Sequence, residues 1–161
     1  MSELTYEYEK RETLRALIAP CLVTRTKDTY RDWQAAEPDD FRMVAQWDTG
    51  ASVTHVTRGV VDVLGLKATG RKVKIHGTNG EYESDTYLVD LYLSEDVVFR
   101  NLLVAEMSDT FGSQVLIGLD VILQSNFVIE PQGDDVLLRF RYPSEGNKPF
   151  TIDVEDIFKE E

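Results

Sequence analysis

Residues 71–93, RKVKIHGTNGEYESDTYLVDLYL, constrain the fold more than any other stretch of this chain. On both sides of the glycine-containing centre HGTNG, apolar or aromatic residues alternate with charged ones, a period of two that suits a strand and not a helix. Tyr87, Val89, Leu91 and Leu93 share one face. The segment predicts a long antiparallel hairpin with a turn at its tip.

The same period recurs elsewhere. FRMVAQW, residues 41–47, alternates Phe41, Met43, Ala45 and Trp47; DDVLLRFRY alternates Val136, Leu138, Phe140 and Tyr142. VVFRNLLVAEM, SQVLIGLDVI and NFVIEP read as further strands, and FTIDV as a last one before the acidic EDIFKEE. In residues 13–26 Leu14, Leu17 and Ile18 have helical spacing, but Pro20 and the β-branched residues beyond it favour extended structure over 21–26. Residues 1–12 fit a helix or a loose strand equally well, and 28–40 are polar and read as a loop or short helical excursion. One short helix is expected after Thr57, whose hydroxyl can cap it; Val60, Val61 and Leu64 share its inner face and Gly65 ends it. Many short strands with one helix predict a mainly antiparallel, barrel-like β domain.

Composition narrows the function. The 161 residues suit a single domain spanning 1–161, with a core of about 41–142 and extensions at both ends. A formal charge of −12 without a basic stripe argues against nucleic acid and anionic membranes as partners. No apolar run approaches the roughly 20 residues that span a bilayer, and no leader pattern precedes the first strand, so a cytoplasmic chain is expected. Cys21 is the only cysteine, which excludes an internal disulfide and reads as a small semi-buried hydrophobe. The pairs Asp134-Asp135 and Glu155-Asp156 lack the ligand spacing of a calcium loop, and no G-x-S-x-G elbow occurs; no metal and no cofactor are expected.

The strand 41–47 runs directly into Asp48 within QWDTGASVTH. Asp and Gly are turn residues, and a bare D-T-G arises easily by chance. Here it is followed by Ala51, Ser52 and Thr54, and far downstream by Leu116-Ile117-Gly118. With WDTGASVT, a glycine-bearing central hairpin and VLIGLD in that order over roughly residues 41–130, the chain resembles the retropepsin-like aspartic proteases. The resemblance implies a closed antiparallel β-barrel-like acid protease fold with a hairpin flap, acting as a homodimer on peptide or protein substrates. It implies Asp48 as the catalytic residue in an active-site loop Thr49, Gly50, Ala51 and Ser52, with Thr49 locking two loops together and Gly50 allowing a tight backbone. His76, Gly77, Thr78, Asn79 and Gly80 match the flap, and Leu116, Ile117 and Gly118 the motif that packs beneath the loop.

Chemistry asks for a second carboxylate. Two carboxyl groups about 3 Å apart share one proton, so one serves as base while the other is acid. The chain holds no second Asp-Thr-Gly or Asp-Ser-Gly, and Asp109-Thr110-Phe111 lacks the glycine, so a partner subunit must supply it. Ser52 and Leu119 depart from the acidic residue and arginine common in retroviral members, and an Asp120–Ser52 hydrogen bond is one replacement. His55 reads either as a partly exposed strand-end histidine or as a pocket wall changing charge at about pH 6.5. His76 reads as a solvated turn residue. The alternative function is a catalytically silent peptide-binding or dimerisation module on the same fold.

Overall fold

The structure, a computed structural model, describes residues 1–26, 42–77, 80–109 and 112–144. Ten strands and two short helices occur among them: β1 (Ser2–Tyr8), β2 (Ile18–Arg25), β3 (Arg42–Trp47), β4 (His55–Thr57), α1 (Arg58–Leu64), β5 (Lys72–Gly77), β6 (Gly80–Tyr92), β7 (Val98–Met107), β8 (Val115–Ile117), α2 (Leu119–Ile122), β9 (Asn126–Gln132) and β10 (Asp135–Tyr142). They form a three-stranded sheet in the order β1-β10-β9 and a larger sheet in the order β2-β3-β8-β4-β7-β6-β5.

The expected hairpin is present as β5 and β6, paired from Lys72↔Asp85 to Gly77↔Gly80. β6 changes character along its length. Residues 80–83 are exposed, whereas Tyr87, Val89 and Leu91 are buried where the strand pairs with β7 and β2. β2 itself pairs with β3 through residues 18–22 and with β6 through 22–25, tying two distant parts of the large sheet together. Pro20 is tolerated because its partner Val44 directs its own N–H and C=O to Gln114 of the loop before β8, leaving no ladder bond for a proline N–H to make.

Residues 2–8, undecided from sequence, form a strand because β10 offers a full antiparallel edge from Ser2↔Tyr142 to Tyr8↔Val136. In β10 Leu138, Phe140 and Tyr142 are buried and Arg139 and Arg141 exposed, as the alternation predicts, although Leu137 is buried as well and Val136 only partly. α1 follows its reading closely, with the Thr57 hydroxyl accepting from Val60 N, Gly65 in a left-handed conformation (φ 61°), and Val60, Val61 and Leu64 buried. Cys21 is a buried core residue whose thiol is pushed up to about 12 by burial.

Two expectations are corrected. SQVLIGLDVI is not one strand: β8 is three residues long, and beyond Gly118 the chain turns into helix α2 with Val121 and Ile122 buried. The single expected helix is joined by this second one, while the mainly antiparallel pairing holds, with β3–β8 and β4–β7 as the parallel exceptions. Phe41, the 28–40 segment, FTIDV and EDIFKEE lie outside the described residues.

Candidate active site

The parallel pairing of β3 with β8 sets the site. Ala45, Gln46 and Trp47 lie opposite Val115, Leu116 and Ile117, and Asp48 N donates to Ile117 O at 2.9 Å. Two parallel strands leave their sheet at the same end, so the loop 48–54 and Gly118 emerge side by side although seventy positions separate them. Trp47, the residue before the loop, is buried with its ring 5.1 Å from Phe140, 5.3 Å from Phe127 and 6.0 Å from Tyr6, centroid to centroid. These three rings belong to the small sheet, so β3, a strand of the large sheet, is pinned to the small one at the residue before Asp48.

Gly118 lies hard under the loop. A β-carbon there would stand 2.8 Å from Ala51 O and from Val53 C, closer than backbone atoms tolerate. Leu119 N donates to Ala51 O at 2.7 Å, and Gly118 N to the Thr54 hydroxyl at 3.1 Å. The Asp120 carboxylate then accepts from Thr54 N (2.9 Å), the Thr54 hydroxyl (2.7 Å) and Val121 N (3.0 Å). The partner of Asp120 is thus Thr54 and not Ser52: the Thr54 hydroxyl and N–H both face α2, while Ser52 is exposed. Burial raises the Asp120 carboxyl above its ordinary value, opposed by these donors. Thr54, fully buried, has no sequence signal beyond following the loop, because its role depends on α2 being a helix rather than a strand.

Asp48 is half-buried; its Oδ1 accepts from Gly50 N at 2.8 Å, and its carbonyl from Ala51 N at 3.2 Å. This closes a tight turn around the carboxylate. A β-carbon on Gly50 would approach Asp48 Oδ1 to 3.1 Å, so the glycine keeps space beside the carboxylate. Thr49 and Gly50 are exposed and Ala51 is partly buried.

An open cleft of about 1070 Å³ lies between this loop and the β5–β6 hairpin, lined by Asp48, Gly50, Ala51 and Ser52 on one side and by His76, Gly77 and Gly80 on the other. Leu116 also reaches the lining, whereas Ile117 is fully buried in the core beneath it. Thr78 and Asn79 lie outside the described residues. His76 is exposed, as expected, but sits on a strand rather than a turn, with Nδ1 3.0 Å from Glu81 Oε1. Gly77 has ordinary space around it, its β-carbon position being 3.6 Å from Gly80 O; Gly80 has φ 107° and needs glycine. His55 begins β4, as the strand-end reading has it, but it is 6% exposed rather than partly exposed; it lines the cleft, and burial pushes its imidazole below the ordinary value.

Glu106 and Arg58 are cleft residues that sequence reading misses. Arg58 lies 3.0 Å from Glu106 and 3.1 Å from Asp62, and the Tyr87 hydroxyl donates to Glu106 at 3.1 Å. Glu106 reaches the cleft because β7 lies parallel to β4, opposite Val56, a pairing with no local pattern. Asp109 takes a structural place, accepting from Gly59 N at 3.0 Å at the start of α1. Among the described residues no cluster of three or more His, Cys, Asp or Glu is arranged to hold a metal, and no helix is long and apolar enough to cross a membrane.

The fold is similar to a solved structure, a retropepsin-like aspartic protease from Rickettsia conorii, with a TM-score of 0.52 and 16% identity over 88% of this chain and 96% of that one. A search of curated proteins gives no match. Residues 37–124, more than half of the chain and including both the Asp48 loop and Gly118, match the family described as "gag-polyprotein putative aspartyl protease". The chain belongs to this gag-type, retropepsin-like aspartyl protease family.

Proposed function

We propose that the protein is an aspartic endopeptidase that hydrolyses peptide bonds with a carboxylate dyad, one Asp48 from each subunit of a homodimer. The observation that carries this reading is the placement of the Asp48 carboxylate on an open cleft, in a loop braced by Gly118 and roofed by a hairpin. Thr49 and Gly50, exposed at the loop's surface, are available to the second loop, with the Thr49 hydroxyl as the locking group. The β5–β6 hairpin serves as the flap over an extended peptide. The pairing of β2 with both β3 and β6 supports a closed, barrel-like body.

With two carboxyl groups sharing one proton, the ionised member takes a proton from water as it attacks the scissile carbonyl. The protonated member donates to the carbonyl oxygen as negative charge develops there. The proton taken from water then passes to the leaving nitrogen as the C–N bond breaks, and the other carboxylate recovers its proton from a hydroxyl of the tetrahedral intermediate, which restores the singly protonated pair. A complete Asp-Thr-Gly favours this over a silent binding module, because binding alone requires no acid-base pair.

Subunit mixing tests the reading. Asp48→Asn keeps shape and removes the acid-base function, and should lower kcat by about a thousandfold with the fold retained. In fully exchanged mixtures of wild-type and Asp48→Asn subunits, activity should follow the square of the wild-type fraction, about one quarter at equal amounts. A linear response would mean that each subunit carries a complete site; full activity of Asp48→Asn would end the aspartic protease reading.

A further inference from the structure

His55 has one ring nitrogen committed and one open. Nδ1 lies 2.7 Å from Val53 O. A carbonyl oxygen can only accept, so Nδ1 carries the proton, and the neutral ring leaves Nε2 as a bare acceptor. Nε2 has no hydrogen-bond partner among the described residues. It is also not enclosed: among the described residues, Nε2 is not one of the fully buried side-chain polar atoms that lack a partner. His55 lines the same cleft as Asp48. Its backbone is held on both sides, by Leu116 of β8 and Ala105 of β7, so the ring has a fixed base.

We propose that His55 Nε2 is a specificity-determining acceptor that selects, beside the scissile bond, a substrate side chain bearing a hydrogen-bond donor, a hydroxyl such as threonine's over an isosteric apolar group. This rests on the peptidase reading of the cleft. Burial disfavours the imidazolium and outweighs the Val53 hydrogen bond and the nearby Asp120 and Asp48, which pull the other way, so the acceptor form stays in place. An apolar side chain in contact with Nε2 removes water from a lone pair and gives it nothing in return; a hydroxyl restores the bond.

Peptide pairs that differ only by Thr or Val, scanned through each position around a cleavage site found with a mixed peptide library, test this on the full chain. At one position wild type should favour Thr about five- to tenfold in kcat/KM, as one net hydrogen bond predicts. His55→Val should bring that ratio to one or below, and His55→Gln, which retains an acceptor, should restore part of it. An unchanged ratio in folded His55→Val overturns the proposal and leaves the peptidase reading intact. Imidazole 15N spectra of the wild type provide a readout independent of turnover and of variant folding. The free protein should show Nδ1–H with Nε2 bare, and Thr-bearing peptides, but not their Val counterparts, should shift the Nε2 signal. An Nε2–H tautomer overturns the proposal. If no peptide is cleaved, the peptidase reading fails alone, and the proposal stands on a Thr-selective Nε2 shift or falls without one.

Discussion

The floor and the roof of the cleft are built on opposite principles. The floor, residues 48–54 with 116–120, is tied by backbone bonds to β8, by the Thr54–Asp120 contacts to α2, and through Trp47 to the small sheet. The roof, β5 with the first residues of β6, is held by its own ladder: among the described residues β5 pairs with β6 alone, and the side chains of His76 and Glu81 are 73% and 61% exposed. The proposed function asks for both properties: a reacting carboxylate fixed to within a fraction of an ångström, and a cover that opens to admit a chain. Burial supplies the first, and scarcity of buried contacts supplies the second.

The largest difference should come from the two aromatic residues nearest these regions. Trp47→Ala empties a site enclosed by Tyr6, Phe127 and Phe140 and should cost about 3–5 kcal/mol of stability. Tyr82→Ala removes a ring that is 47% exposed on the hairpin and should stay within about 0.5 kcal/mol. Urea unfolding of both variants decides it. Equal losses would break the contrast, since they would require the hairpin to be packed as firmly as the floor.

Glycine to alanine exchanges sharpen the same contrast at the scale of one methyl group. Gly118→Ala must displace the backbone of Ala51 and Val53, and should cost about 1–3 kcal/mol with a loss of peptidase activity beyond what stability explains. Gly77→Ala meets Gly80 O at an ordinary distance and should fall within about 0.5 kcal/mol. Should Gly118→Ala be as benign as Gly77→Ala, the loop is not seated on Gly118 and the floor is looser than its contacts imply.

A smaller effect is expected from the polar brace. Asp120→Asn keeps the shape but replaces one acceptor oxygen with a donor facing the Thr54 N–H or hydroxyl, which should cost about 1–3 kcal/mol. On the roof, Glu81→Gln weakens an exposed pair with His76 and should change stability by less than about 1 kcal/mol. Thermal unfolding of the two variants compares them directly.

Periodicity made the strands and the hairpin legible, since alternation is local and β6 and β10 bury the expected faces. The capped helix α1 was legible for the same reason: Thr57 and Gly65 act within a turn of their own positions. What escaped was set by distant pairing. The turn of 119–122 into a helix follows from Gly118 meeting the Asp48 loop, and a short apolar run does not distinguish strand from buried helix. The Asp120 partner was misassigned by that same error, because on a strand Asp120 has no reason to face Thr54 N. β1 carried its own signal, since Leu4, Tyr6 and Tyr8 alternate at strand period and pack against the core; the charged residues around them left it undecided, and the edge of β10 fixes it as a strand. Asp48, Gly50 and Gly118 were read from motif order, and their placement together depends on the parallel β3–β8 pair, which no local pattern encodes.

The smallest effect is a pH dependence confined to the floor. His55 is buried, and its folded imidazole is pushed below the unfolded value of 6.5 chiefly by desolvation, with Asp120 and Asp48 opposing. Between the folded value and 6.5 the unfolded chain therefore binds more protons than the folded one, so stability rises with pH across that window. Read the other way, the contribution is whole above pH 6.5 and is lost as pH falls through the folded value. Asp120 has the opposite sign: its raised folded value gives stability present below 3.8 that is lost as pH rises through it. Comparing wild type with His55→Gln, which cannot titrate, largely cancels the Asp120 contribution because both proteins retain that carboxylate. The stability of wild type relative to His55→Gln should then decline as pH is lowered from about 7.5 to 5.5, measured by urea unfolding at each pH. A difference that stays constant, or grows on acidification, would mean that His55 is free to charge in the folded protein, and the floor would be wetter than its 6% exposure indicates.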